Sequence, residues 1–581
     1  MPACPNDRAR RLSRHTGAAL LLLAITGTGA AAQVGAPVRL SPGAESAPAP
    51  ATPAAGPAPT PNPAATPDPA ADDGIKATPL APVDAGWIGT LPDTARPLPQ
   101  SMWQGTPRAF VVAALPLLAP SSSPTLQDLA RRLLLSNAIA PAGGETPDGA
   151  NLAATRVAQL AALGDIDDAV GLIDALPPSA HGDELDRRRV ELAFARNESV
   201  GACRIVQEDV ARYQGPWWEQ ALIACQALTG NQAEAALGLS LMHEQKAPVD
   251  PVFETLIDAL GGRPARLEKL PLPSPLLVTL VAAAKLPLPA DAVAAADLPT
   301  LRTWAANDGV PPLQRLAAAE RAAALGALSP EALAALYGAV EFKPDELGAA
   351  IKKGKAPATP RDRALLYSVA RSDPAVAART AALQAFLADA RKRGDFLLGA
   401  RVVAPILSEL APSQELAEFA PDAIMAAIAN GDKDRATAWL AVAPPGAVAT
   451  LAPLLRLVPI DVPALPSDVQ VPPPSPQQAT LMLALRSSVD PAASPAAWAP
   501  LLAGSQPGTL PNAALWLDQQ QASADKRVGE TVLTTAIIAR DGDHLSKDPI
   551  VLNRAILGLK AIGLDPEVRA LAVEAALAGG T

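Results

Sequence analysis

The stretch LAATRVAQLAALGDIDDAVGLIDALPP, residues 152–178, decides the fold class of this chain. Leu152, Arg156, Leu160 and Leu163 recur at helical spacing, which puts three leucines on one face of a predicted helix. Gly164 is expected to end that helix in the left-handed conformation, and Asp165 to cap the next one. Ala169, five residues after the glycine, is small enough to let the two helices approach closely. Pro177 stops the second helix. The stretch reads as one helical hairpin.

The signature returns along the chain. Gly230-Asn231 precedes Ala235, Gly394-Asp395 precedes Gly399, and Gly431-Asp432 precedes Ala436, each small residue standing five after its glycine. Pro444 lies as far behind Gly431 as Pro177 lies behind Gly164. Segments such as AALQAFLADARKRG and PEVRALAVEAALAGG carry the same period, and no sustained period-2 alternation occurs. Ser329 before Pro330, and Asp565 before Pro566, read as an N-cap followed by the first helical residue. The expected class is all-α.

This turn resembles the inter-helix turn of tetratricopeptide-like (TPR-like) repeats, which also carries a Gly, a capping residue and an Ala five after the Gly. The resemblance covers these four hairpins. The large aromatic positions of the full motif are mostly missing, and the spacing between copies is irregular. The resemblance therefore implies an irregular right-handed α-solenoid of helical hairpins, with a concave surface for a partner's peptide or domain. The texture also resembles large Ala-rich exported proteins of alphaproteobacteria, a likeness that brings no functional residues with it.

Composition agrees with the helical reading. Of 581 residues, 49% are hydrophobic but only 3% aromatic, and 63 are Pro. Poor strand formers and few aromatics argue against an all-β chain. A mean hydropathy of +0.16 argues against disorder throughout. A net charge of −10 disfavours a nucleic-acid partner.

The N-terminus has the three parts of an export signal. Arg8, Arg10, Arg11 and Arg14 form a basic region, Ala18 to Ile25 a short apolar core, and Ala30-Ala31-Ala32 a small-residue site, with cleavage expected after Ala32. The apolar run is too short to span a bilayer, and no other segment is expected to be an integral span. The expected organisation is a signal peptide at 1–32 and a disordered Pro/Ala-rich tether at 33–107. A helical array at 108–456, a Pro-rich linker at 457–478 and a C-terminal helical segment at 479–581 complete it. Within the tether, residues 73–107 carry Trp87, Ile88, Met102 and Trp103 and are the part expected to lie against the folded chain.

After cleavage two cysteines remain, Cys203 and Cys225. They fall on consecutive predicted helices around Gln214-Gly215-Pro216, at nearly the same level of one antiparallel hairpin. An oxidising periplasm would join them; the alternative is two buried thiols. Trp217-Trp218, the aromatic doublet beside them, reads either as a platform for a glycan or peptide or, preferably, as a hydrophobic wedge at the start of the hairpin's second helix.

Catalytic patterns are weak. His181, His243 and His544 are scattered and carry no zinc motif, and Asp541, Asp543 and Asp548 lack the spacing of a calcium loop. The phosphate-loop lookalike at 348–356 has one residue too many and Ala where a hydroxyl is needed. Ser523 and Lys526 match SxxK without its companion motifs. No catalytic, metal or cofactor residue is assigned. The expectation is an exported, non-enzymatic interaction scaffold of the cell envelope, in the periplasm, with a protein or peptide partner. The alternatives are a lytic-transglycosylase-like envelope enzyme with an α-superhelix and a self-associating structural protein.

Overall fold

The computed structural model describes residues 85–143, 152–350, 357–461, 475–489, 498, 501 and 511–579. The expected signal peptide, the tether up to residue 84 and most of the 457–478 linker lie outside the described residues. Among the described residues the chain is all-α. The strands there are two dipeptides, Arg540–Asp541 and His544–Leu545, paired as a small antiparallel hairpin.

Proline explains much of the helix punctuation. Helices Pro124–Leu135, Pro216–Leu228, Pro251–Leu260, Pro275–Ala283, Pro330–Gly338, Pro360–Ser372 and Pro549–Ala561 all begin on one. The missing N–H costs nothing there, and the fixed φ is already helical. A side chain commonly caps the turn before it: Ser329 accepts from Ala332 N–H at 3.1 Å, and Asp548 from Ile550 N–H at 2.8 Å. Asp565 departs from the expected pattern. It is the first helical residue of Asp565–Ala578, and Leu564 is the N-cap.

Consecutive helices pack against each other through most of the chain, as in Leu152–Leu163 on Ile166–Ala175 and Ala420–Ala429 on Lys433–Leu440. Packing is not confined to neighbours. Helix Pro124–Leu135 lies against Val528–Ile538 and Asp565–Ala578, and the last of these also touches Phe396–Val402 and Ala420–Ala429. One apolar core accordingly runs from Trp87 through Leu383 and Ile424 to Leu577. A second core centres on Phe253 and Trp304, and a third on the two cysteines.

Two expected boundaries are corrected. Residues 85–107, assigned to the tether, are folded. Trp87 and Trp103 are buried and meet edge to face with centroids 6.2 Å apart. Burying two such side chains outweighs the extended preference of the surrounding prolines. Arg156 holds this segment down, donating to Leu134 O at 2.9 Å, Gly86 O at 2.8 Å and Ile88 O at 2.7 Å. Residues 479–581, set apart as a C-terminal helical segment, share the first core through Leu481, Leu485, Val532 and Leu571. The nearly fully buried helix Val528–Ile538 is docked on the N-terminal segment, with Gly529 N–H donating to Met102 O at 2.8 Å.

Candidate functional site

The four Gly-Asp/Asn turns share one backbone. Gly164, Gly230, Gly394 and Gly431 have φ of 89°, 86°, 80° and 71°. Asp165 N–H donates to Leu160 O at 2.9 Å and Gly164 N–H to Ala161 O at 3.0 Å, the paired bonds of a Schellman end. Asn231 to Gln226, Asp395 to Ala390 and Asp432 to Ala427 repeat the longer bond. Ala169, Ala235 and Ala436 are fully buried. Gly399 packs so closely that a Cβ there would lie 2.8 Å from Ala390 Cβ on the preceding helix. The side-chain capping expected of the Asp/Asn position occurs at Asp432 alone, which accepts from Arg435 N–H at 3.0 Å. Asp165, Asn231 and Asp395 occupy the N-cap without that bond. Asp395 instead takes Arg393 at 2.5 Å, and Asp165 faces Arg131 and Arg302.

Seven further turns have the same hydrogen bonds. Glu198 N–H reaches Ala193 O, Ala247 reaches Met242 O, Arg263 reaches Asp258 O and Leu286 reaches Val281 O. Ala327 reaches Ala322 O, Arg527 reaches Ala522 O and Leu564 reaches Leu559 O in the same way. The left-handed residues there are Asn197, Lys246, Gly262, Lys285, Gly326, Lys526 and Gly563. Four of them are not glycine, and the three glycines are followed by Arg, Ala and Leu, so the Gly-Asp/Asn pattern does not mark these turns.

Cys203 and Cys225 are buried with their sulfurs 2.06 Å apart, at bonding distance, and their Cα atoms 5.3 Å apart. They lie on helices Ser199–Asp209 and Pro216–Leu228. Trp218 is buried above them and donates from Nε1 to Asp183 Oδ1 at 2.6 Å. Tyr213 stacks on it at 5.3 Å. Trp217 is half-buried under the Arg187 guanidinium, 4.9 Å from the ring centroid. Both faces of the doublet are thus covered in part by the chain's own groups. Asp186 accepts from the Tyr213 hydroxyl at 2.6 Å and pairs with His181 Nδ1 at 2.9 Å, and burial followed by Asp186 raises the Tyr213 pKa to about 12. Through Asp186, His181 is therefore tied to the hairpin.

Two buried ionic groups carried no sequence motif. In the first, Glu320 accepts from Tyr337 Oη at 2.6 Å and from Arg363 Nε and Nη2 at 2.8 and 2.6 Å. Arg363 faces Asp389 at 3.7 Å, and Arg393 joins Asp389 at 2.9 Å. Such a network satisfies its own members and leaves no free base. Ser122 Oγ lies 3.3 Å from His544 Nδ1, but His544 is exposed on the hairpin tip. Ser122 N–H also donates to Asp543 O at 2.7 Å, so the pair fastens the hairpin to the N-terminal loop.

The second group joins the two ends of the folded chain. On helix Asp565–Ala578, Glu567 and Glu574 are seven residues apart and share a face. Glu567 accepts from Arg132 at 2.6 Å and pairs with Arg96 at 3.0 Å. Glu574 accepts from Thr125 N–H at 3.0 Å, from Thr125 Oγ1 at 2.6 Å and from Ser123 Oγ. It thus caps a helix 450 residues earlier in the chain, and burial raises its pKa against the pull of those bonds. Beside this contact is a cavity of about 540 Å³ whose lining includes Arg96, Asp128, Arg401, Glu567 and Glu574.

Among the described residues no group of three or more His, Cys, Asp or Glu is arranged to hold a metal, and no helix is long and apolar enough to cross a membrane. Comparison with protein-family models, with curated proteins and with solved structures finds no match.

Proposed function

We propose that this chain is an exported, non-catalytic helical scaffold of the cell envelope that binds a protein or peptide partner. The observation that carries the reading is the recurrent turn, with one set of backbone bonds at residues 164, 197, 230, 246, 262, 285, 326, 394, 431, 526 and 563. Chains built from repeated hairpins present long surfaces made of many equivalent positions, and such surfaces serve binding. In this reading the hairpins stack as degenerate TPR-like units, with helices Pro124–Leu135 and Asp565–Ala578 fastened together. The paired cysteines support an oxidising compartment, hence the periplasm, with the N-terminal segment acting as signal and tether.

The test is cross-linking in cells that express the full chain, followed by identification of what is bound. A reproducible partner, with a mature N-terminus at Gln33, is the expected result. Absence of any partner together with murein cleavage by the purified chain would replace the scaffold with the envelope-enzyme reading.

A further inference from the structure

The cavity at the chain's closure has three walls. Helices Pro124–Leu135 and Asp565–Ala578 enter it by their N-terminal turns, and helix Phe396–Val402 forms the third side with the end of Ala420–Ala429. Most charges on these walls are already engaged. Arg96 pairs with Glu567 at 3.0 Å and Asp128 at 4.0 Å, and Glu574 takes its bonds from Ser123 and Thr125. Arg401 has no hydrogen bond or ion pair with any described residue, and its charge is felt by the buried Glu574. It stands one turn after Leu397, so the two share a face of the helix. Leu397, Ile428 and Val573 supply apolar wall around it.

A half-buried guanidinium without a partner offers a planar fork of donors that matches a carboxylate in bidentate geometry. The apolar side chains around it match a short hydrocarbon group attached to that carboxylate. Asp128 and Glu567 do not oppose such a ligand strongly, because Arg96 and Arg132 neutralise them. We infer that this cavity binds a carboxylate on a short apolar chain, with Arg401 as the anion anchor and Leu397, Ile428 and Val573 as the apolar wall. The ligand is either a small free acid or the carboxy-terminal residue of a partner chain. The site does not depend on the scaffold reading, since binding in the tube and cross-linking in cells can fail separately.

The experiment is calorimetric titration of the full mature chain with three probes: 3-methylbutanoate, N-acetyl-Ala-Leu with a free carboxylate, and the amide of that dipeptide. The acids are expected to bind and the amide not to bind. Arg401→Gln should weaken acid binding by about tenfold or more, the loss of a charge-assisted bidentate pair, while the chain still folds, because the side chain makes no hydrogen bond or ion pair with a described residue. Ala570→Trp, at an exposed position on the cavity wall, should also weaken binding by filling the space. Much tighter binding of the dipeptide than of 3-methylbutanoate assigns the site to a chain terminus; equal binding assigns it to a small acid. The proposal is overturned if no acid binds at millimolar concentration, if the amide binds as well as the acid, or if both variants bind like the wild type.

Discussion

Asp165 shows how one turn residue sets a local pH response. Burial, and after it the neighbouring Asp168, raise its pKa to about 7 against the pull of Arg131 and Arg302. A carboxyl whose folded pKa exceeds its unfolded value favours the folded state below the unfolded pKa, near about 4. That favour is lost as pH rises to about 7 and changes no further above it. The sister turn places Asn231 in the same conformation, with φ −82° and ψ 61° against −80° and 60° at Asp165. Asp165→Asn is therefore expected to stabilise the chain by about 1 kcal/mol or more at pH 8. The gain should shrink as pH falls to 5, measured by paired denaturant titrations. An equal gain at both pH values would show that the charge is not what strains this turn. Glycine in the turns has a separate role. Gly164 has φ 89°, and a Cβ there would lie 2.5 Å from Ala327 Cβ, whereas a Cβ at Gly431 would meet nothing within 4 Å. Gly431→Ala should cost about 1 kcal/mol for the left-handed backbone alone. Gly164→Ala should cost clearly more, and equal melting shifts for the two would argue that the Ala327 contact relaxes freely.

At the scale of the element, sequence pattern was a good guide to hairpins and a poor one to their chemistry. Gly, then Asp or Asn, then a small residue five after the Gly located the 164, 230, 394 and 431 turns because glycine adopts positive φ at little cost. It could not locate those at 197, 246, 285 and 526, where Asn and Lys adopt the same backbone. Nor could it tell that of the four only Asp432 would cap; at Asp395 an arginine takes the carboxylate instead. The cysteine hairpin is the element where spacing served best: reflection about the turn put Cys225 within a residue of opposite Cys203, and the sulfurs meet. Joining two helices across a loop of that size should contribute about 3 kcal/mol. Thiol labelling of the denatured, non-reduced chain should find neither cysteine reactive. The Cys203→Ala, Cys225→Ala double variant should lose protection from hydrogen exchange first in Ser199–Asp209 and Pro216–Leu228, because these helices pack into a small core of their own. Two labelled thiols per chain would remove the disulfide and with it the main support for an oxidising compartment.

At the scale of the whole molecule, the decisive contacts join residues that no local pattern could connect. Glu574 reaches Ser123 across 451 positions, and Glu567 reaches Arg132 across 435. In sequence they are unremarkable acidic residues two turns apart on an Ala-rich helix. Their meaning comes from tertiary packing, which also draws Trp87 and Trp103 out of the Pro-rich segment. Whether the array behaves as a nearest-neighbour stack or as a closed unit is a thermodynamic question that Glu567 can answer. The Arg132 and Glu567 side chains are 4% and 5% exposed, so removing the carboxylate leaves a buried guanidinium with Asp128 as its remaining charged partner and Arg96 O as an acceptor. Glu567→Ala should cost about 3 kcal/mol, the lower end for a broken buried pair because Asp128 remains. In a nearest-neighbour stack the damage would stay in the C-terminal helices. In a closed unit it spreads across the junction: exchange should quicken together in Asp565–Ala578 and in Pro124–Leu135, four hundred residues away in sequence, and denaturation should remain a single transition. Faster exchange in Asp565–Ala578 alone would mean that the two ends touch without sharing their stability.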